Sequence, residues 1–490
     1  MKNSIRKQEQ IQAQELWQHN PRLDLGIKLN YAKSLVATGK VDIISMEDYV
    51  LSIGAINGFY ENNPMKNTPN DFLSTFNSLI WSMQNSDFLA SKGAIQVNED
   101  YRIVTGAHRL SIATLLDIPI KIELSKAQHE DFDKSFLSSR GLSRIALGRA
   151  CLGMIENRPR TRVIIVFPIA KLYGAEIEKL IKAELEIMYE EELKIDFSTS
   201  FHLKKISYHL HSRSDDLNSW IGSELDDYSG IRSHVFASGI QGNAKIYVFD
   251  ETSPRRVREV KEHIRRLVDV GNFSVHSTDS YAETLDILRI CLNPISLEFV
   301  GCERNSAVKD LEMKLQTLNS FISQQGLNKD EFLISGSAPI AAKGLRKIRD
   351  LDIISGKENF NSKYPIPNGI DLSTETHYRK NFSELTYHPS NYFWYYGFKF
   401  VNLEETLVMK RSRNEFPKDY EDIALIEKEE NWKYTNHKIQ WFKMKIKILN
   451  FRFNRKKSFA KQELYLTLNR FGIYVIIRKI IPKKRNEGEL

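Results

Sequence analysis

Residues 332–354 read FLISGSAPIAAKGLRKIRDLDII. The apolar run Phe332-Leu333-Ile334 leads into Ser335-Gly336-Ser337, and Asp350-Leu351-Asp352 opens a second apolar run that ends Ile353-Ile354. Glycine lets a backbone come close to a phosphate, and a helix starting there offers its first N–H groups to the same anion. Gly336 and Ser337 are therefore expected to cradle phosphates. Alternation along a strand puts the Asp350 and Asp352 carboxylates on one face, with Leu351 toward a core. Two acids so placed can share a hard cation such as Mg²⁺, which keeps waters and also takes substrate phosphates. Holding these groups together requires two short strands joined by a helix.

A Gly-Ser after a strand, followed by an acid-apolar-acid triplet, resembles the signature of the polymerase-beta-like nucleotidyltransferases. The resemblance covers the last third of the chain before its tail. It implies a mixed sheet with helices, a nucleoside triphosphate substrate, and Mg²⁺ held by Asp350 and Asp352. Downstream, residues 397–403 read as a strand and residues 404–413 as a helix carrying Lys410, Arg411 and Arg413. Lys418-Asp419-Tyr420-Glu421-Asp422 opens another helix. By the same resemblance Lys410 faces the triphosphate, while Asp419 and Asp422 support the site. Many of these enzymes add a third carboxylate on a later strand to deprotonate the attacking hydroxyl. Asp371, flanked by Ile370 and Leu372, is the best placed, with Glu375, Glu384 and Glu404 as alternatives. If none reaches the metal, the domain only binds nucleotide.

A second constellation lies nearer the N-terminus. Apolar residues at 72, 76, 79, 80 and 83 form a helical stripe behind Asp71 as N-cap. Short strands over 93–97 and 101–104 flank a turn at 98–100, and Gly106-Ala107-His108-Arg109 then opens an apolar helix before a last strand at 118–124. This order, with its Gly-x-His-Arg turn, resembles the ParB/sulfiredoxin fold, which implies that Gly106, His108 and Arg109 hold nucleotide phosphates. The physics agrees, since Arg109 can grip an oxyanion bidentately and the helix dipole adds to it. Ala107 stands where sulfiredoxins carry their reactive cysteine, so thiolate chemistry is excluded. No basic helix-turn-helix follows, as partition-type DNA binders require. A nucleotide-binding or small-kinase-like module, or a structural one, is what remains.

At 490 residues the chain exceeds one ordinary core. Its 41% hydrophobic and 27% charged residues are those of a globular protein. No run is long and apolar enough to span a bilayer, and the first residues lack a secretory core. Cys151, Cys291 and Cys302 are scattered and odd in number, so a reducing, cytoplasmic compartment is expected. Among the histidines only His209 and His211 are close, without zinc-ligand spacing.

The expected class is α/β and α+β, multidomain. A helical N-terminal region spans 1–70 and begins with a polar helix; the ParB/sulfiredoxin-like domain spans 71–127; a helical connector spans 128–160. A central α/β domain covers 161–304, with a long helix from 175 to about 193. The nucleotidyltransferase-like domain covers 305–430, and a basic amphipathic helical tail covers 431–490. From Lys433 onward there are 16 Lys and Arg against 3 Asp and Glu, so the net charge of +8 belongs to the tail. Between Lys433 and Arg485 basic residues alternate with aromatic and branched ones. That composition suits an anionic membrane surface, which would make the protein peripheral at the inner face. It suits nucleic-acid phosphates less well, and packing of its apolar face on the nucleotidyltransferase-like domain is a third option.

These readings combine into a Mg²⁺-dependent nucleotidyltransferase. It would act on a small-molecule acceptor, such as a sugar phosphate or surface-polysaccharide precursor, or on a protein. The alternative is a non-catalytic ParB-like nucleotide-binding protein that contacts nucleic acid through its tail.

Overall fold

The computed structural model describes residues 8–59, 66–85, 93–211, 221–223, 226–239, 241–356 and 360–429. The tail expected over 431–490 lies outside them. Residues 50–59 and 66–73 belong to a separate compact unit, in which the Phe59 and Phe72 rings meet edge to face.

The first sheet is built from β1 (Gln8–Gln12), β2 (Ile95–Val97), β3 (Ile103–Thr105) and β4 (Pro119–Leu124), in the order β1-β4-β2-β3. β4 runs antiparallel to β1 and parallel to β2, and β3 closes a hairpin with β2. The N-terminal stretch is therefore corrected from polar helix to edge strand. Polar residues flank Ile11, which pairs with Ile120 across the ladder, so pairing with β4 holds a segment that has too few apolar residues to pack as a helix. The sheet thus draws on residues well before 71. Behind it the helix Leu23–Thr38 packs on the helices Ala107–Leu116 and Arg144–Ile155. Leu25, Leu29, Ile112, Ala150 and Met154 are buried there.

The central sheet contains β5 (Thr161–Val166), β6 (Ile187–Ile195), β7 (Gly242–Asp250) and β8 (Val275–Ser277), in the order β6-β7-β5-β8. Every pairing in it is antiparallel, although strands and helices alternate along the chain as expected. The long helix read from 175 to about 193 is also corrected: it ends at Glu184, and β6 follows. Glu190-Glu191-Glu192 looks like the outer face of a helix, but the true period is two, with Tyr189, Glu191, Leu193 and Ile195 buried. Glu191 is tolerated inside because it meets Lys134 Nζ at 3.1 Å and Arg144 Nε at 2.9 Å, and accepts from Tyr189 Oη at 2.8 Å. The helix Pro254–Val268 covers the sheet with Val257, Val260, Ile264 and Val268, spaced to share one face.

The third sheet holds β9 (Phe332–Ile334), β10 (Leu351–Ser355), β11 (Ile370–Leu372), β12 (Tyr392–Tyr395) and β13 (Phe398–Val401). Its order is β11-β10-β9-β13-β12. β9 is antiparallel to β10 and parallel to β13, β10 is parallel to β11, and β12 and β13 form a hairpin, so this sheet is mixed as expected. Leu333, Ile354, Val401 and Met409 form its core with Tyr378 and Leu385. The helices Leu403–Arg413 and Lys418–Glu429 follow β13. Among the described residues no helix is long and apolar enough to cross a membrane.

Candidate functional site

β9 ends at Ile334, and the chain turns through Ser335-Gly336-Ser337 into a helix of only one turn and a half, Ala338–Ala342. So short a helix carries little dipole, and the phosphate-binding capacity expected of it reduces to the backbone of the turn itself. Gly336 holds φ +63°, and a Cβ there would stand 1.8 Å from Asp352 Oδ2. Only glycine lets the turn lie directly against that carboxylate.

Asp352 is the second residue of β10, and its register partner on the parallel neighbour β11 is Asp371. Leu351 and Ile370, one residue back, are paired and buried. The two aspartates therefore share the opposite face, side by side. Among the described residues neither side chain makes a hydrogen bond or ion pair. Burial raises the Asp352 carboxyl above its usual range; Lys418, Lys410 and Arg413 pull it down, and the Asp371 charge adds to the rise. Asp350 precedes the strand, and its Oδ2 is held 2.5 Å from Arg349 Nε. Asp371 thus stands beside Asp352 across the strands, in addition to Asp350, two residues earlier on the chain and tied to Arg349. Of the alternatives to Asp371, Glu384 caps the helix Phe382–Tyr387 together with Asn381.

Lys410 lies behind the turn with no exposed surface. Its Nζ is 2.7 Å from Asp422 Oδ2 and 3.2 Å from Asp419 Oδ1, and it donates to Ser337 Oγ at 3.0 Å. Ser337 Oγ also accepts from Arg346 Nη2 at 3.1 Å and donates to Asp422 Oδ2 at 2.9 Å. A hydroxyl has one proton and two lone pairs, and all are used. The expectation that Lys410 and the Ser337 side chain face a triphosphate is corrected: both are consumed in bracing the turn. The Ser337 backbone N–H, in contrast, has no hydrogen-bond partner among the described residues. Arg413 completes the brace with two bonds to Asp419, at 2.9 and 2.5 Å. Burial alone would raise the Asp419 carboxyl, yet the Arg413 bonds, the Glu415 N–H and the Lys410 charge hold it at about 2.

Lys418 is the residue that sequence reading passed over. It is exposed, opens the helix Lys418–Glu429, and is the largest single charge lowering the Asp352 pKa. Its position in a Lys-Asp pair at the start of a helix was the available signal. Arg346, in the loop between Ala342 and β10, carried no such signal.

Gly106 takes φ 100° and ψ 17° at the start of the helix Ala107–Leu116, as a tight turn there requires. His108 Nε2 lies 2.9 Å from Tyr49 Oη, with its ring edge-on to Phe76 at 4.7 Å. The Arg109 guanidinium bonds the carbonyl oxygens of Gly93 and Ala94. Both side chains thus brace strand and helix, where a role on nucleotide phosphates was expected. His211 Nε2 lies 2.9 Å from Asp286 Oδ2, and His209 Nε2 lies 3.3 Å from Tyr228 Oη. Among the described residues no three His, Cys, Asp or Glu side chains are grouped to hold a metal ion. No protein-family model, curated protein or solved structure matches the chain.

Proposed function

We propose that residues 332–429 form a Mg²⁺-dependent nucleotidyltransferase centre, moving a nucleotidyl group from a nucleoside triphosphate to a hydroxyl or phosphate acceptor. The observation that carries this reading is the pair Asp352 and Asp371, unpartnered and adjacent, with the Gly336 turn against the first of them. Two carboxylates suffice for Mg²⁺, which completes its shell with waters and substrate phosphates. Asp352 would hold the ion, with Asp350 joining once it leaves Arg349. Bound there, Mg²⁺ neutralises triphosphate charge.

The remaining roles fall to the protein. The Ser337 N–H receives the outer phosphates, which the absence of a side chain at Gly336 lets approach, and Lys418 offsets their charge from the open side. Asp371, the more exposed acid, takes the acceptor proton. The acceptor oxygen then bonds to the α-phosphorus, the bond to the bridging oxygen breaks, and pyrophosphate leaves. Acceptors such as sugar phosphates or surface-polysaccharide precursors fit this chemistry, as does a protein hydroxyl.

The test is incubation with each labelled triphosphate, Mg²⁺ and a panel of sugar phosphates, comparing the native chain with Asp352→Asn. Pyrophosphate release that disappears in the variant is expected. Equal release from both proteins would overturn the assignment.

A further inference from the structure

The central domain contains a cavity of about 450 Å³ that uses none of the residues discussed above as a nucleotide site. Lys261 and Arg265 reach it from the helix Pro254–Val268, His234 from the helix Ser229–Ala237, and His276 from β8. Tyr208 and Phe273 supply its aromatic walls. The Tyr208 ring stands edge-on to both imidazoles with centroids 5.5 Å away, and His234 lies 4.5 Å from Phe273.

The cationic groups here are only partly matched by neighbouring acids, Arg265 by Glu262 through one nitrogen and Lys261 by the charge of Asp279 at longer range. Among the described residues Lys261 makes no hydrogen bond or ion pair although it is half-buried. Arg265 bonds Glu262 through Nη1 at 2.5 Å, while its buried Nε has no hydrogen-bond partner among the described residues. Lys204 Nζ is 3.8 Å from the Phe167 ring centre and makes no hydrogen bond among the described residues. Its charge acts on His234, whose pKa burial already pushes down to about 3, so that imidazole stays neutral. His276 Nε2 is fixed 2.8 Å from Glu283 Oε1, and Glu283 in turn accepts from the Asp279 N–H. The acid on the cavity wall is Asp279, which is exposed. A lysine with no bonded acid, an arginine with an unsatisfied Nε and two aromatic rings on one wall describe a pocket for an anion with a flat body.

We propose that this cavity binds a phosphomonoester carrying a ring, with Lys261 and Arg265 on the phosphate and Tyr208 and Phe273 along the ring. A sugar phosphate and a nucleoside monophosphate share that chemistry. Titration calorimetry on the full chain with inorganic phosphate, ribose 5-phosphate, AMP and uncharged ribose separates them.

At least one of the two esters should bind, more tightly than inorganic phosphate, and ribose should give no heat. Lys261→Met should weaken that ester by about tenfold or more, the loss of one charge-assisted contact, and Arg265→Gln should do likewise. Lys261→Arg should stay within a few-fold of native, and Asp352→Asn should bind as the native chain does. The proposal is overturned if neither ester binds, or if Lys261→Met and Arg265→Gln both match the native affinity. It is equally overturned if Asp352→Asn alone loses binding, because the ester then sits at the Gly336 turn.

Discussion

Asp352 Oδ2 stands 1.8 Å from where a Cβ on Gly336 would be, so carboxylate and turn are packed as one unit that admits no side chain. Gly336 also holds a left-handed backbone, which costs other residues about 1–2 kcal/mol before any collision is counted. Gly336→Ala is therefore expected to lower the denaturation midpoint and abolish pyrophosphate release. Retained release in a stably folded Gly336→Ala protein would detach Asp352 from the working site.

Asp352→Asn and Asp371→Asn should separate stability from activity. The raised Asp352 pKa means its ionised form is disfavoured by folding, a penalty present above the folded pKa and relieved as pH falls through it. A neutral amide removes that penalty at neutral pH. Asp352→Asn should melt at or above the native midpoint, Asp371→Asn, at an exposed position, should change stability by no more than about 0.5 kcal/mol, and in both nucleotidyl transfer should fall by about a hundredfold or more. Parallel thermal melts and rate measurements check this, and a drop in both together would mean the acids serve the fold.

Lys410 and Lys418 are expected to respond in opposite ways to the same substitution. Lys410→Met leaves Asp419 and Asp422 buried beside one cation fewer, a loss of about 3–5 kcal/mol. Lys418→Met removes an exposed charge and should change stability by no more than about 0.5 kcal/mol, while raising the KM for the triphosphate. Denaturant titration and steady-state kinetics on both variants distinguish a brace from a phosphate contact.

Apolar runs and their punctuation made most of the third sheet legible: β9, β10, β13 and the helices after them fall where Phe332-Leu333-Ile334, Leu351-to-Ile354 and Phe398-to-Val401 put them. What stayed hidden was long-range. Nothing local shows that β11 pairs parallel to β10 in a register that seats Asp371 beside Asp352. Nor does spacing reveal that the Ser337 hydroxyl is consumed by Lys410, Arg346 and Asp422, since those partners lie 73, 9 and 85 residues away. β1 was missed because its partner strand arrives more than a hundred residues later. β6 was missed because a buried glutamate breaks the polar-out rule, and it is Lys134 and Arg144 from the preceding segment, with the Tyr189 hydroxyl, that make it tolerable.

Acid should unlock the brace behind the turn. The Asp419 pKa sits at about 2 in the folded protein against an ordinary 3.8, held down by Arg413, the Glu415 N–H and Lys410. A carboxyl depressed in this way contributes its full stabilisation above the unfolded value and loses it as pH falls through the folded one. The loss should therefore run from about pH 4 to about pH 2. Asp24, whose pKa is also lowered by Arg22 and Lys28, acts in the same direction. Asp419→Asn cannot titrate, so its stability should be lower than native at pH 7 and fall less steeply through that window. Urea unfolding at half-unit steps from pH 6 to pH 2 measures both slopes, and identical slopes for the two proteins would show that Asp419 does not bind Arg413 and Lys410 as an anion.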